Sequence, residues 1–237
     1  MYIESFINKI LSYKKARPLI AKIWRYIMPS FLVKRRVFGL KMCFDSRDHP
    51  FFWYTTTEFF EQLENVPAIF NSFHGIFWDV GCNVGIYSLR AASLGHRVIA
   101  FDISPKAAAL VEKSAQLNQL QDKITVVPRA FSLEPIPYVA PKTAIAGNQL
   151  NAQKEIANAM SISYLEAANQ YGIPKLLKMD IEGFEEHFLK SSEFKKWIID
   201  HKIIFILELH KKEFWDLLWK DVPMIQLSSH VVKFESK

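Results

Sequence analysis

Two short segments in the C-terminal half hold the side chains best suited to moving a proton or holding a cation. Asp180 and Glu182 lie in Lys178-Met179-Asp180-Ile181-Glu182-Gly183, and Glu208 and His210 lie in the other segment. Extended residues alternate sides, so Lys178, Asp180 and Glu182 share one side until Gly183, and Glu208 and His210 project together. His210 could take the proton of a substrate hydroxyl, with Asp180 or Glu208 orienting it. The same acids could instead bind a divalent cation that lowers the hydroxyl's pKa, so the use of a metal stays open. Plainer roles compete with these. Lys178 could only neutralise Glu182, Glu185 could only complement a helix dipole, and His210 could be a helix cap or a satisfied edge residue. His187 reads as a surface or packing residue.

A second constellation lies upstream. The apolar run Ile76 to Val80 ends in Gly81-Cys82-Asn83-Val84-Gly85, and a helical pattern starts at once. A buried strand, a glycine-rich turn and a helix N-terminus form a pocket for a nucleotide-like ligand. The glycines let backbone approach that ligand closely. About 20 residues on, the run Val98 to Phe101 ends in Asp102, whose carboxylate could accept both hydroxyls of a ribose. A dinucleotide fingerprint needs a third glycine where Ile86 stands, and the Gly-Lys-Ser/Thr of a P-loop is absent. What remains is Asp-x-Gly-x-Asn-x-Gly, a pattern of S-adenosylmethionine binders.

These segments need elements to position them. From Ile76 onward, strand and helix patterns alternate. Strands are expected at 76–80, 98–101, 124–127, 176–181 and 203–209. Helices are expected at 85–94, after Ser104-Pro105, at 164–171, from Phe184 onward and at 213–219. Fully apolar strands in repeated βα units predict an α/β fold: a Rossmann-like, mostly parallel sheet with helices on both faces. Ligands in such sheets sit beyond the carboxyl ends of the strands. That edge would gather Asp79 and Gly81, Asp102, Pro128 to Ala130, Asp180 with Glu182, and Glu208 with His210. Residues 129–160 read as irregular, either a lid or a small hairpin, and Phe51 to Phe60 as an aromatic cover for one end of the pocket.

The chain has 237 residues, half of them hydrophobic, enough for one full core. Its two cysteines, Cys43 and Cys82, imply no disulfide framework and so a reducing, cytoplasmic setting. No apolar run approaches the roughly 20 residues of a membrane span. Charge is uneven: residues 1–41 carry ten Lys/Arg against Glu4 alone, within a net +6 for the whole chain. Ile3, Phe6, Ile7, Ile10 and Leu11, then Ile20, Ile23, Trp24 and Ile27, recur at helical spacing among these cations. Residues 1–50 are therefore expected to be a basic helical arm and 51–237 the main domain. The arm could pack on the core, receive an anionic substrate, or lie at the inner membrane surface as a peripheral contact. Nucleic acid is a less fitting partner, since no recognition module accompanies the basic residues.

The stretches DVGCNVGIYSL (79–89), VIAFDISP (98–105), LKMDIEGFE (177–185) and ILELH (206–210), in this order and spacing, resemble the FkbM-type methyltransferases over roughly residues 70–210. The resemblance implies a Rossmann-like sheet and methyl transfer from S-adenosylmethionine, usually to an oxygen of a sugar, lipid-linked glycan or natural-product scaffold. Asp79, Gly81, Asn83, Gly85 and Tyr87 would then line the methionine end of the cofactor. Asp102 would hold the ribose, Ala130 would add to the cofactor pocket, and Asp180 would lie near the sulfonium and acceptor. Relatives commonly carry Glu where Asp102 stands. The alternative expectation is a non-catalytic module that binds S-adenosylmethionine, a membrane or a partner through its basic arm.

Overall fold

The computed structural model describes residues 17–49, 69–144, 157–227 and 231–235. The start of the basic arm, the aromatic stretch 51–60 and residues 148–156 lie outside the described residues. The chain begins with helix α1 (Arg17–Ile27) and the antiparallel hairpin β1 (Leu32–Val37) and β2 (Leu40–Asp45). The alternating units follow: β3 (Ile76–Val80), α2 (Ile86–Ser93), β4 (Arg97–Phe101), α3 (Pro105–Leu117) and β5 (Ile124–Val127). Next come four two-residue strands: β6 (Phe131–Ser132), β7 (Pro137–Tyr138), β8 (Ala159–Met160) and β9 (Ile162–Ser163). After α4 (Tyr164–Tyr171) come β10 (Leu176–Met179), α5 (Glu185–Lys190), α6 (Ser192–Asp200) and β11 (Ile204–Glu208). A 3₁₀ helix at Lys212–Leu217, β12 (Met224–Gln226) and β13 (Val231–Phe234) end the described chain.

Seven strands form the central sheet in the order β12-β13-β11-β10-β3-β4-β5. The five from β11 to β5 are parallel neighbours, and β13 runs antiparallel between β11 and β12. The expected Rossmann-like sheet is therefore present. Its apolar strands feed two cores, because consecutive residues point to opposite faces. Trp78, Val80, Ile99, Phe101, Leu177 and Met179 pack on one side with the aromatics of α5, α6 and the 3₁₀ helix. Phe77, Val98, Ala100, Leu176 and Ile206 pack on the other with α2 and α3. Ser104 caps α3 by accepting the Ala107 N–H, and Pro105 follows at the first helical position.

Several elements differ from expectation for physical reasons. Of the stretch expected to be a helical arm, Arg17–Ile27 is helix but residues 32–45 form a hairpin. The hairpin buries Val37, Met42, Cys43 and Phe44 in the core, and the Cys43 N–H donates to Ser114 Oγ on α3 at 2.9 Å. The Lys34-Arg35-Arg36 run on its exposed strand hid the alternation. The helix expected at 213–219 is a 3₁₀ turn, and two strands follow it, β13 carrying the buried Val232 and Phe234. Within 129–160 the described residues make paired short strands.

Glycine at position 81 answers to a neighbouring strand. Its φ is +77°, and a Cβ there would lie 1.8 Å from the Asp180 carbonyl oxygen, so β3 and β10 can end side by side only without a side chain. Gly85 (φ +75°) meets the Val111 side chain of α3 in the same way, at 2.8 Å. In both, the crowding found is protein against protein, where the sequence suggested close approach to a ligand. Gly81→Ala should cost more than about 2 kcal/mol in urea unfolding, because backbone must move. Gly95→Ala, at φ +98° with nothing within 4 Å, should cost about 1 kcal/mol. Equal losses would assign the effect to backbone conformation alone.

Candidate functional site

The turn after β3 is fastened to the end of β4. Gly81 and Cys82 donate their N–H groups to the Phe101 carbonyl at 2.9 and 3.0 Å. Asn83 (φ +50°) donates its N–H to Asp102 Oδ2 at 2.8 Å, and Ser104 donates to Oδ1 at the same distance. Asp102 thus shapes the turn. Burial pushes its carboxyl up to about 6, against the pull of those two hydrogen bonds. Asp79 is fully buried; Ser88 Oγ donates to its Oδ2 at 2.6 Å, and its Oδ1 has no partner among the described residues. Burial pushes the Asp79 carboxyl up as well. An orphaned carboxylate oxygen suits an ammonium, and the lone pairs left on Asp102 suit hydroxyls, so the residues fit the amino-acid and ribose ends of S-adenosylmethionine.

Tyr87, on α2, lies under Lys178, whose Nζ is 4.8 Å from the ring centroid. Burial pushes its phenol up to about 12. Ala130 is buried, and its backbone is already engaged: the N–H with the Tyr138 hydroxyl and the carbonyl with the Ile162 N–H. Ala130 therefore offers a surface to pack on, with no spare hydrogen bond in this state.

The second constellation forms where β10 and β11 end. His210 Nδ1 is 3.1 Å from Glu185 Oε1, and Nε2 is 3.4 Å from Asp180 Oδ1 and 3.7 Å from Glu182 Oε2. The hydrogen bond to Glu185, then the Asp180 charge, overcome burial and lift the His210 imidazole to about 9. Glu185 is fully buried; its Oε1 also accepts the Ile181 N–H at 2.8 Å, and its Oε2 has no partner among the described residues. Lys178 Nζ donates to Asp180 Oδ2 at 3.2 Å. Burial alone would lower the lysine's pKa, but the charges of Asp180 and Asp79 outweigh it and hold the ammonium above its usual value. Glu208, half-buried, has its carboxyl raised by burial and then by Asp180. Ligand atoms of Asp180, Glu182 and His210 lie within 4.8 Å of one another, close enough to share a divalent cation.

The structure therefore brings Asp180, His210 and Glu208 together, with Lys178 bonded to Asp180 and opposite Asp79 in the strand register. It assigns the orienting contact on His210 Nδ1 to Glu185, where the sequence suggested Asp180 or Glu208. Lys178 pairs with Asp180, with Glu182 a weaker neighbour. His49, unremarked in the sequence, places Nε2 3.2 Å from Asn83 Oδ1 and so reaches the cofactor turn from the segment after β2. The polar run Asp45-Ser46-Arg47-Asp48-His49 directly after an apolar strand was the available signal.

Titration of Asp102 gives a direct test. A ligand whose hydroxyls donate to it favours the ionised form, so its affinity must fall as the carboxylate protonates. With that group at about 6 in the free protein, S-adenosylhomocysteine should bind about tenfold more weakly at pH 5 than at pH 7 by calorimetry. Asp102→Asn should bind weakly and equally at both. A flat profile in the unsubstituted protein would remove Asp102 from the ligand.

The model of the methyltransferase FkbM domain matches residues 79–231, the larger part of the chain. No curated protein sequence matches it. Among solved structures it is similar to Trm5b from Pyrococcus abyssi (13% identity, 86% of this chain, 55% of that one, TM-score 0.48). It is also similar to the tRNA (uracil-54, C5)-methyltransferase of the same organism (12%, 86% and 43%, 0.47). A SAM-dependent methyltransferase from Agrobacterium tumefaciens gives comparable figures (12%, 80% and 57%, 0.46). The chain spans about half the length of these three. With every TM-score below 0.5, the assignment rests on the family model and the site. The chain belongs to the FkbM methyltransferase family, whose methyl donor is S-adenosylmethionine.

Proposed function

We propose that the chain methylates a hydroxyl oxygen of a sugar, glycan or natural-product acceptor. The observation that carries this is the His210–Glu185 pair, whose Nε2 faces the open Asp180 and Glu182 side of the cluster. S-adenosylmethionine supplies an electrophilic methyl on a sulfonium, so the chain has to position the acceptor and remove its proton. A buried carboxylate at Nδ1 fixes the ring orientation and leaves Nε2 of the neutral imidazole to accept a proton. The charges of Asp180 and Glu182 then stabilise the imidazolium that forms. Lys178 holds Asp180 in place. A hydroxyl is the acceptor that needs such a base. An exocyclic amine on a nucleic-acid base instead calls for an Asn/Asp-Pro-Pro-aromatic turn after the fourth strand, where this chain has Asp180-Ile181-Glu182-Gly183.

The test is a methyl-transfer screen over glycan, lipid-linked glycan and polyketide acceptors with radiolabelled donor. Asp180→Asn and His210→Gln should each lower kcat at least about 100-fold while binding of S-adenosylhomocysteine stays within about threefold. Because His210 titrates at about 9, kcat/KM should climb with pH and level off there, as the imidazolium gives up its proton. Loss of turnover in EDTA, restored by Mg²⁺, would assign Asp180, Glu182 and His210 to a cation in place of the proton-transfer role. Methylation confined to amine acceptors would overturn the proposal.

A further inference from the structure

The N-terminal elements carry a surface that the methyl-transfer site does not use. On α1, half-buried Trp24 turns towards the body, and its Nε1 donates to the Ser46 carbonyl at 2.7 Å. The opposite side presents Ile23 (52% exposed), Tyr26 (92%) and Ile27 (66%) at i, i+3, i+4 spacing. Phe31 and Leu32, where the chain enters β1, extend the apolar strip into solvent. Exposed cations border it: Lys22 and Arg25 on the helix, and Lys34 and Arg36 on β1. Residues 17–41 contain seven Lys/Arg and no acid, whereas the rest of the chain beyond position 41 is net acidic.

We propose that α1 and β1 form a docking surface for an anionic lipid bilayer, with Ile23, Tyr26 and Ile27 entering the interface and the cations meeting the headgroups. Charge decides the occupant. An apolar strip inside a wholly basic rim matches a surface that is apolar in depth and negative at its boundary. A symmetric dimer through this face would set the same cations of two copies against each other. Nucleic acid would use the charge but leave Ile23, Ile27 and Leu32 in water. The surface is also fixed relative to the cofactor turn. Ser46 Oγ donates to the Pro29 carbonyl and accepts the Phe31 N–H, Lys106 Nζ bridges Asp45 and Asp48 at 2.9 and 2.8 Å, and His49 reaches Asn83. Docking would therefore set the height of the methyl-transfer site above the membrane, independently of which acceptor is used.

The experiment is co-sedimentation of the full chain with vesicles of phosphatidylcholine alone or with about 30 mol% phosphatidylglycerol. Binding should be at least about tenfold tighter to the anionic vesicles and should weaken in about 0.5 M salt. Ile23→Ser/Tyr26→Ser/Ile27→Ser, all exposed positions, should lose at least about tenfold in vesicle binding while binding S-adenosylhomocysteine unchanged. Lys34→Ser/Arg36→Ser should lose the preference for anionic lipid. The proposal fails if the unsubstituted chain ignores anionic vesicles or if the triple variant binds them equally. It also fails if the triple substitution instead abolishes a concentration-dependent dimer seen by ultracentrifugation, or if an oligonucleotide binds this surface where vesicles do not.

Discussion

The buried ammonium of Lys178 pairs with Asp180 where β10 ends, next to Asp79 on the neighbouring strand β3, and the electrostatics of both depend on it. It is 5% exposed, opposite Asp79 in the β3–β10 register, and bonded to Asp180 beyond the end of its own strand. An isolated buried charge is costly in an apolar sheet, whereas one shared among Asp79, Asp180 and Glu208 is compensated. Asp79 belongs to the cofactor turn and Asp180 to the proton-handling cluster. Lys178 thus lies where the two strand ends meet, and Gly81 lets those ends come this close.

Around that centre, hydrogen bonding reaches outward on both sides. Asp102 draws the turn after β3 against the end of β4 through two backbone N–H groups, so its carboxylate shapes the pocket before any ligand arrives. Glu185, at the first turn of α5, is fully buried and meets His210 Nδ1 through its Oε1. The segment after β2 meets the turn after β3 through His49, and its Asp45 and Asp48 pair with Lys106 of α3. Burial lowers the His49 pKa, consistent with a neutral imidazole at Asn83.

Much of this was legible in the sequence, for identifiable reasons. Strands buried on both faces read as apolar runs, and the polar residue that ends each run marks the sheet edge where ligands bind, so Asp79, Asp102, Asp180 and His210 stood out. Ser104-Pro105 announced the start of α3. What stayed hidden was tertiary. Glu185 looks like any acid in a helix first turn, and only packing shows that it is fully buried against His210. The hairpin at 32–45 was obscured because its solvent-facing strand carries three consecutive cations, and the partner that buries its other face, α3, lies about 70 residues away in sequence. The 3₁₀ helix and the edge strands β12 and β13 come from short apolar runs whose period cannot separate helix from strand.

The most direct test of this account is a crystal structure of the chain with S-adenosylhomocysteine bound. The amino group should lie at Asp79 Oδ1, the ribose hydroxyls at Asp102, and the sulfur should point at the space between Asp180 and His210. A sulfur directed away from Asp180 and His210, or a ligand seated without contact to Asp79 and Asp102, would contradict it.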